Sequence, residues 1–78
     1  METTITVKGF LQTIESSKAI TINIYNQTQI EEETVNILLI TFLHSGYDSL
    51  EDILKNAQII KTVINNLSSI DIYVQLES

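Results

Sequence analysis

The first part of the chain carries a helical and then an extended pattern of apolar residues. Residues at intervals of three and four share one face of a predicted helix: Val7, Phe10, Leu11 and Ile14. We expect this helix over Thr6–Ser16, with Thr6 as its N-cap. Within Ala19–Tyr25, isoleucine alternates with polar or aromatic residues, which predicts a strand with one buried face.

The middle of the chain combines a polar stretch with the most apolar one. Asn26–Thr34 contains the run Glu31–Glu33 and is expected to form a loop or an extended hairpin tip. Val35–Leu43 is apolar on both faces: Ile37, Leu39 and Leu43 on one, and Leu38, Ile40 and Phe42 on the other. A strand of this kind is typically covered on both sides, so we expect it at the centre of a sheet.

A second helix is predicted after the loop His44–Tyr47. Asp48 and Glu51 have the spacing of a capping box, and Ser49 with Asp52 offers a second register. The inner face of this helix is expected to carry four apolar residues: Leu50, Ile53, Leu54 and Ala57.

The segment after this helix fits two interpretations. Ile59–Ile64 is rich in β-branched residues and Asn65-Asn66 suits a turn, which favours a hairpin leading to a final strand over Ile70–Leu76. Alternatively, apolar residues at helical spacing continue to Leu67 and predict one long second helix. The hairpin is the favoured interpretation.

These elements predict a single α+β domain over residues 1–78. We expect a small antiparallel sheet of three to four strands with two helices on one face, in the order αββαββ, or αββαβ with the long helix. A core in a domain of this size rarely contributes more than about 3–5 kcal/mol. Since the chain has no cysteine for disulfides, we expect a homodimer or higher oligomer.

The order of these segments resembles that of short phage and prophage proteins of low-GC Gram-positive bacteria. Those proteins often open with a helix of the type TVKDLL, which here reads Thr6–Leu11, with Gly9 as a departure. The later segments match an Ile/Val strand, a strand ending in an aromatic residue and glycine, a short acidic helix and a hairpin: Ile20–Tyr25, Phe42–Gly46, Asp48–Lys55 and Ile59–Leu76. The Glu31–Glu33 loop is a second departure. The resemblance implies a mobile-element origin, where many small acidic proteins are stoichiometric inhibitors of host defence or host enzymes.

The charge of the chain limits the kinds of molecule that it is expected to bind. The net charge is −6, there is no arginine, and the basic residues are four lysines: Lys8, Lys18, Lys55 and Lys61. Because nucleic-acid binding depends on basic residues that neutralise phosphates, we expect no direct nucleic-acid binding. The same charge steers association with a basic protein surface, although it also simply keeps a small protein soluble. No run of residues has the pattern of a membrane helix or a signal peptide, so we expect no membrane contact and a cytoplasmic protein, in the host cytoplasm if phage-encoded.

Candidate catalytic and metal-binding residues are few. His44 is the only histidine, and Ser45 and Asp48 beside it form no nucleophile elbow, so we expect it on the surface or at a strand end. Calcium loops and glycine-rich phosphate loops are absent from the sequence. We therefore expect no catalytic residue, no metal site, no cofactor and no enzyme activity.

Two groups of residues are candidates for binding a partner. The acidic group contains Glu31, Glu32, Glu33, Asp48, Glu51 and Asp52. An apolar and aromatic group is expected on the non-core face of the sheet or in the loop beside it: Tyr25, Leu38, Ile40, Phe42, Tyr47 and Tyr73. Such a patch is an interface if it is exposed, and ordinary core if the second helix or a loop covers it.

The favoured function is a non-enzymatic interaction protein. We expect a stoichiometric inhibitor of a host defence or nucleic-acid-handling protein, similar to an anti-CRISPR protein, whose acidic surface occupies a basic groove. One alternative is a homo-oligomeric protein that sequesters a small ligand, although anionic nucleotides need more basic residues than this chain has. Another is a structural or assembly accessory of a phage particle.

Overall fold

Four strands form one mixed sheet in the computed structural model, which describes residues 5–14 and 19–76. The elements in chain order are α1 (Val7–Leu11), β1 (Thr21–Ile30), β2 (Glu33–Leu43), a 3₁₀ helix (His44–Ser49), α2 (Asp52–Lys55), β3 (Ile59–Asn66) and β4 (Ser69–Val74). The predicted α+β class and the favoured C-terminal hairpin are confirmed. The alternative with one long second helix is wrong, since α2 ends at Lys55 and the β-branched segment after it is a strand.

The strands lie in the order β2-β1-β4-β3. Each hairpin, β1–β2 and β3–β4, is antiparallel, but β1 and β4 run parallel to each other at the centre. The prediction of a purely antiparallel sheet is therefore wrong for the two central strands, β1 and β4. The reason is the connection over residues 44–58, which carries the chain back across one face of the sheet, so that β3 runs in the same direction as β2 and β4 in the same direction as β1.

The core lies between the two central strands and the helical segments. Its innermost residues come from β1, β4 and α1: Ile22, Ile24, Ile72, Val74, Val7 and Leu11. Alternate residues in the first part of β1 and along β4 therefore face the helices, as the alternation predicts: Ile22, Ile24, Ile70, Ile72 and Val74. We call this the helix side of the sheet and the opposite side the open face.

The apolar strand β2 is not central, which corrects the prediction for Val35–Leu43. It forms one edge of the sheet, and several of its large side chains are exposed: Ile37, Leu38, Leu39 and Leu43. The two-sided apolar pattern arises from a β-bulge, because Ile24 pairs with Ile40 but Tyr25 pairs with Leu38. Leu39 is the extra residue, and it reverses which residues point to each side.

Several predicted boundaries also shift. The first helix ends at Leu11 with a turn to Ile14, and the rest of its predicted span to Ser16 lies outside the described residues. The first strand starts at Thr21 and runs on to Ile30, through most of the segment that was expected to be a loop or an extended hairpin tip. The predicted N-cap is confirmed, since the backbone N–H of Gly9 donates to Thr6 Oγ1 at 3.2 Å.

Neither predicted capping box is present at the second helix. The N-cap of α2 is Glu51, whose side chain makes no capping hydrogen bond. Asp48 lies in the 3₁₀ helix, where its carbonyl oxygen accepts from Lys55 Nζ at 2.8 Å, and Ser49 Oγ donates to the carbonyl of Gly46 at 2.7 Å. The 3₁₀ turn occupies the residues that were expected to open the helix, so their side chains cannot reach its first amides.

We therefore expect different stabilities for the alanine variants of the two residues that the sequence suggested as caps, Thr6 and Asp48. Thr6→Ala is expected to lower the free energy of unfolding by about 1 kcal/mol, because it removes a capping bond. Asp48→Ala is expected to stay within about 0.5 kcal/mol of the wild type, as an exposed residue without a capping role. Urea denaturation of both variants measures this, and an equal loss in the two would contradict the assignment of the caps.

Candidate protein-binding surfaces

The β1–β2 hairpin extends beyond the rest of the sheet. Pairing of β1 with β4 ends at Asn26, whose Oδ1 accepts the backbone N–H of Leu76 at 3.0 Å. Beyond this point β1 has one neighbour among the described strands: Gln27–Ile30 pairs with Glu33–Asn36 of β2 and no longer with β4. Four further residue pairs at about 3.4 Å each give a projection of about 14 Å. We call residues 27–36 the acidic arm.

The tip of the acidic arm carries three consecutive carboxylates. Glu31 and Glu32 form the turn, Glu33 begins β2, and all three side chains are exposed. The chain has no lysine or arginine between Lys18 and Lys55, so the arm contains no cation of its own. The segment is the extended hairpin tip that was one of the two sequence-based expectations.

Glu31 has an unusual backbone conformation at this tip. Its φ is 60°, and among the described residues it alone, apart from glycine, has a positive φ. This left-handed conformation costs a residue with a Cβ atom about 1–2 kcal/mol relative to glycine. Backbone strain of this kind is often found at functional sites, so the glutamate here is a candidate for a role other than stability.

Replacing the strained glutamate with glycine is therefore expected to stabilise the protein. Glu31→Gly should raise the free energy of unfolding by about 0.5–1 kcal/mol, whereas Glu32→Gly, which has no positive φ to relieve, should lower it by a similar amount. Thermal unfolding of both variants provides the comparison. If both glycine variants lose stability, the turn does not adopt the left-handed conformation at Glu31.

The other predicted acidic residues lie in the connection between β2 and β3. Asp48, Glu51 and Asp52 are exposed there. Glu51 lines a groove between β2 and α2 together with Leu39 and Leu76, so it lies beside the middle of β2. The structure therefore divides the acidic group between the arm tip and this connection.

The predicted aromatic patch is brought together only in part. A row of side chains crosses the open face on neighbouring strands: Leu38, Tyr25, Tyr73 and Lys61. The rings of Tyr25 and Tyr73 stack with centroids 5.1 Å apart, and Lys61 Nζ lies 4.8 Å from the centroid of Tyr73. Sequence reasoning missed Lys61, whose place beside the tyrosine depends on a bulge in β3.

Three residues of the predicted patch are not part of this row. Ile40 and Phe42 lie on the helix side, where they pack against the core, because the bulge in β2 reverses their orientation. The side chain of Tyr47 lies outside the described part of the structure. Helix α2 also packs on the helix side, so it does not cover Tyr25 and Tyr73.

A second row on the open face is held together by hydrogen bonds. Thr41 Oγ1 donates to Asn23 Oδ1 at 2.8 Å, and Asn23 Nδ2 donates to Asp71 Oδ1 at 2.9 Å. These three side chains bridge β2, β1 and β4. Cross-strand pairs of this type stabilise a sheet, so both rows are explained by their structural role.

His44 also has a structural position. It follows β2 directly, as a strand-end histidine was expected to, but its side chain is only 1% exposed, so the expected surface position is wrong. Its Nε2–H donates to the carbonyl oxygen of Leu11 at 2.7 Å, and its backbone N–H donates to the carbonyl of Ile20 at 2.8 Å. The histidine thus joins α1 to the edge of the sheet.

Two other kinds of site are absent from the described part of the chain. No group of three or more histidine, cysteine, aspartate or glutamate side chains is placed to hold a metal ion. Helices long and apolar enough to cross a membrane are absent from residues 5–14 and 19–76.

The chain was compared with known proteins at three levels. No protein-family model, no curated protein and no solved structure matches it. The function of these surfaces therefore has to be inferred from their geometry and charge.

Proposed function

We propose that this protein is a non-enzymatic inhibitor that binds a host protein through the acidic arm. The partner is a defence or nucleic-acid-handling protein with a basic groove, in the cytoplasm of a host cell that carries the gene on a phage or prophage. The observation that carries this proposal is the hairpin tip with three exposed carboxylates, Glu31–Glu33, held about 14 Å beyond the rest of the sheet.

The charge density of the tip suits a groove that normally holds nucleic acid. Consecutive residues are about 3.8 Å apart along the chain. A nucleic-acid strand carries one phosphate charge per about 3.4 Å of helix axis, so the tip presents negative charge at a similar spacing. A narrow two-stranded arm also enters a groove that the full width of the sheet does not.

The arm offers apolar contact surface as well as charge. Ile30 in the arm and Ile37 directly after it on β2 are both exposed on the helix side of the sheet. Exposed carboxylates act mainly on the association rate, whereas buried apolar side chains slow dissociation. We therefore propose that the glutamates raise the association rate and that the isoleucines lower the dissociation rate.

Affinity capture with paired baits tests this proposal. The wild-type protein should capture a basic protein from a Gram-positive host lysate, and added duplex DNA should release it. A bait with Glu31→Gln, Glu32→Gln and Glu33→Gln should lose that capture. The control bait carries the same loss of charge elsewhere, as Glu2→Gln, Glu15→Gln and Glu77→Gln, and should retain it. Equal capture by all three baits would contradict a role for the arm.

A different edge of the sheet suits the expected self-association. Residues Ile5 and Val7 hydrogen-bond to the chain at Ala57–Ile59 and cover the start of β3. The remainder of this edge and the turn after it expose large apolar side chains: Ile60, Val63, Ile64 and Leu67. The segment from Ile59 to Ile70 contains no acidic residue and one lysine, Lys61, so two copies can approach here without repulsion between carboxylates.

We therefore expect a homodimer through the β3 edge. Size-exclusion chromatography with light scattering at micromolar concentration should give a mass above the 8.8 kDa subunit. Leu67→Lys, at a residue that is 96% exposed, should restore the monomer without loss of stability, whereas Ile53→Lys should leave the dimer intact. A wild-type mass of one subunit would contradict this expectation.

A further inference from the structure

The acidic arm leaves the sheet at an asparagine, where continued alternation would place an apolar residue. On β1, Ile22 and Ile24 are fully buried on the helix side, and Asn26 is the next residue on that side. Asn26 pairs with Val74 as the last residue pair of the parallel ladder, and with Ile37 across the hairpin. The buried row of β1 therefore ends in a polar side chain at the residue where the arm begins.

The side chain of Asn26 binds the chain that follows β4. Its Oδ1 accepts the backbone N–H of Leu76 at 3.0 Å, two residues beyond the last paired residue of β4, Val74. An amide oxygen is a good acceptor for a backbone N–H, and this one extends the attachment of the C-terminal segment to β1 past the end of the ladder.

The same C-terminal residue also lies beside β2. Leu76 packs against the core and lines a groove of about 420 Å³ with Leu39 and Ile40 of β2 and Leu54 of α2. It is bonded to β1 through Asn26. Leu76 therefore contacts the hairpin on the helix side, close to the point where both of its strands leave the sheet.

Beyond this point the arm has little support from the rest of the protein. Gln27 Nε2 donates to Asn36 Oδ1 at 3.3 Å, which joins the two strands at the first residue pair of the arm. A polar cavity of about 250 Å³ separates the arm from the C-terminal segment, with Gln29 on one side and Gln75 on the other. Since an isolated two-stranded hairpin is at best marginally stable in water, the direction of the arm depends on how its base is held.

We propose that Asn26 is a positioning residue for partner binding: by holding Leu76 against the base of the arm, it fixes the direction in which Glu31–Glu33 project. This inference rests on the proposed function and adds to it the residue on which the geometry of the arm depends. An arm whose direction is fixed before binding loses less conformational entropy when it enters a groove. Asn26 acts through the arm and not by contact with the partner.

Three variants of the free protein test whether Asn26 orients the arm. Asn26→Ala removes the acceptor, and Asn26→Asp keeps an acceptor oxygen at the same place. Asn23→Ala, the control on the same strand, removes the hydrogen bonds to Thr41 and Asp71, within the sheet. We expect Asn23→Ala to lower the melting temperature at least as much as Asn26→Ala, because it removes two hydrogen bonds rather than one.

NMR relaxation and amide hydrogen exchange report the motion of the arm in these variants. In Asn26→Ala, the amides of residues 27–36 should show lower ¹⁵N heteronuclear NOE values and exchange faster by about tenfold or more. Asn26→Asp should restore the wild-type values, and Asn23→Ala should leave them unchanged. An arm that is as rigid in Asn26→Ala as in the wild type, or that loosens equally in Asn23→Ala, would overturn the inference.

Association with the captured partner gives the functional readout. A groove that admits one arm direction binds only the fraction of molecules in that direction, so Asn26→Ala should slow association by about tenfold. The steep salt dependence should remain, because Glu31–Glu33 are unchanged. Asn26→Asp should return the rate to at least the wild-type value. A flattened salt dependence in Asn26→Ala would contradict a role that is separate from charge.

The outcomes separate this inference from the proposed function. If the captured partner requires Glu31–Glu33 but binds Asn26→Ala at the wild-type rate, the proposed function stands and the positioning role of Asn26 is wrong. If the arm loosens in Asn26→Ala and is restored in Asn26→Asp, but capture is independent of Glu31–Glu33, Asn26 orients the arm and the proposed function is wrong.

Discussion

Replacing Ile72 with alanine is expected to leave much of the protein unfolded in buffer. Ile72 is fully buried on β4 and pairs in register with Ile24, which is also fully buried, at the centre of the parallel pair. Deleting such a side chain typically costs about 2–5 kcal/mol. A core in a domain of this size rarely contributes more than about 3–5 kcal/mol, so the loss removes most of the stability.

Circular dichroism and urea denaturation measure this effect, and a second variant provides the control. Ile37→Ala removes the same atoms from the helix side of β2, where the side chain is 49% exposed. We expect it to change the free energy of unfolding by only about 0.5 kcal/mol. If Ile37→Ala were the more damaging of the two, β2 rather than β4 would be the central strand.

Neutralising the arm tip is expected to change binding far more than stability. With Glu31, Glu32 and Glu33 replaced by glutamine, association with the captured partner should slow by about tenfold or more at low salt, because long-range attraction is lost. Dissociation should change little, since exposed charges act mainly on the association rate. The melting temperature should stay close to that of the wild type, because surface substitutions usually stay within about 0.5 kcal/mol.

Association rates at two ionic strengths are the measurement for this variant. The wild-type rate should fall steeply as salt increases, because a Debye length of about 10 Å at 0.1 M screens exposed charges. The glutamine variant should show a much flatter dependence. Equal rates and equal salt dependence in the two proteins would remove the electrostatic role of the arm.

Local sequence patterns predicted the parts of the fold that depend on local physics. The alternation in Ile20–Tyr25 and Ile70–Leu76 placed isoleucines on the buried side and Tyr25 and Tyr73 on the other. The hydroxyl of Thr6 and the spacing of Val7 and Leu11 defined the first helix and its cap. In each case, the feature depends on residues that are close together in the sequence and belong to one helix or strand.

The remaining features depend on contacts between distant segments. The bulge at Leu39 has no local signature, so the two-sided pattern of β2 was interpreted as central burial rather than as a change of register. The parallel pairing of β1 with β4 depends on the path of residues 44–58 across the sheet. The groove between β2 and α2 follows from these two features, and the sequence therefore did not indicate it.

The most direct test of the proposed function is a displacement assay with the captured partner. Fluorescence anisotropy follows a labelled duplex DNA bound to that partner while the wild-type protein is added. We expect the DNA to be released in proportion to added protein until one equivalent is bound, and the variant with glutamine at Glu31, Glu32 and Glu33 to need at least tenfold more protein. If the partner keeps its DNA at saturating wild-type protein, the acidic arm does not occupy a nucleic-acid groove and the proposed function is wrong.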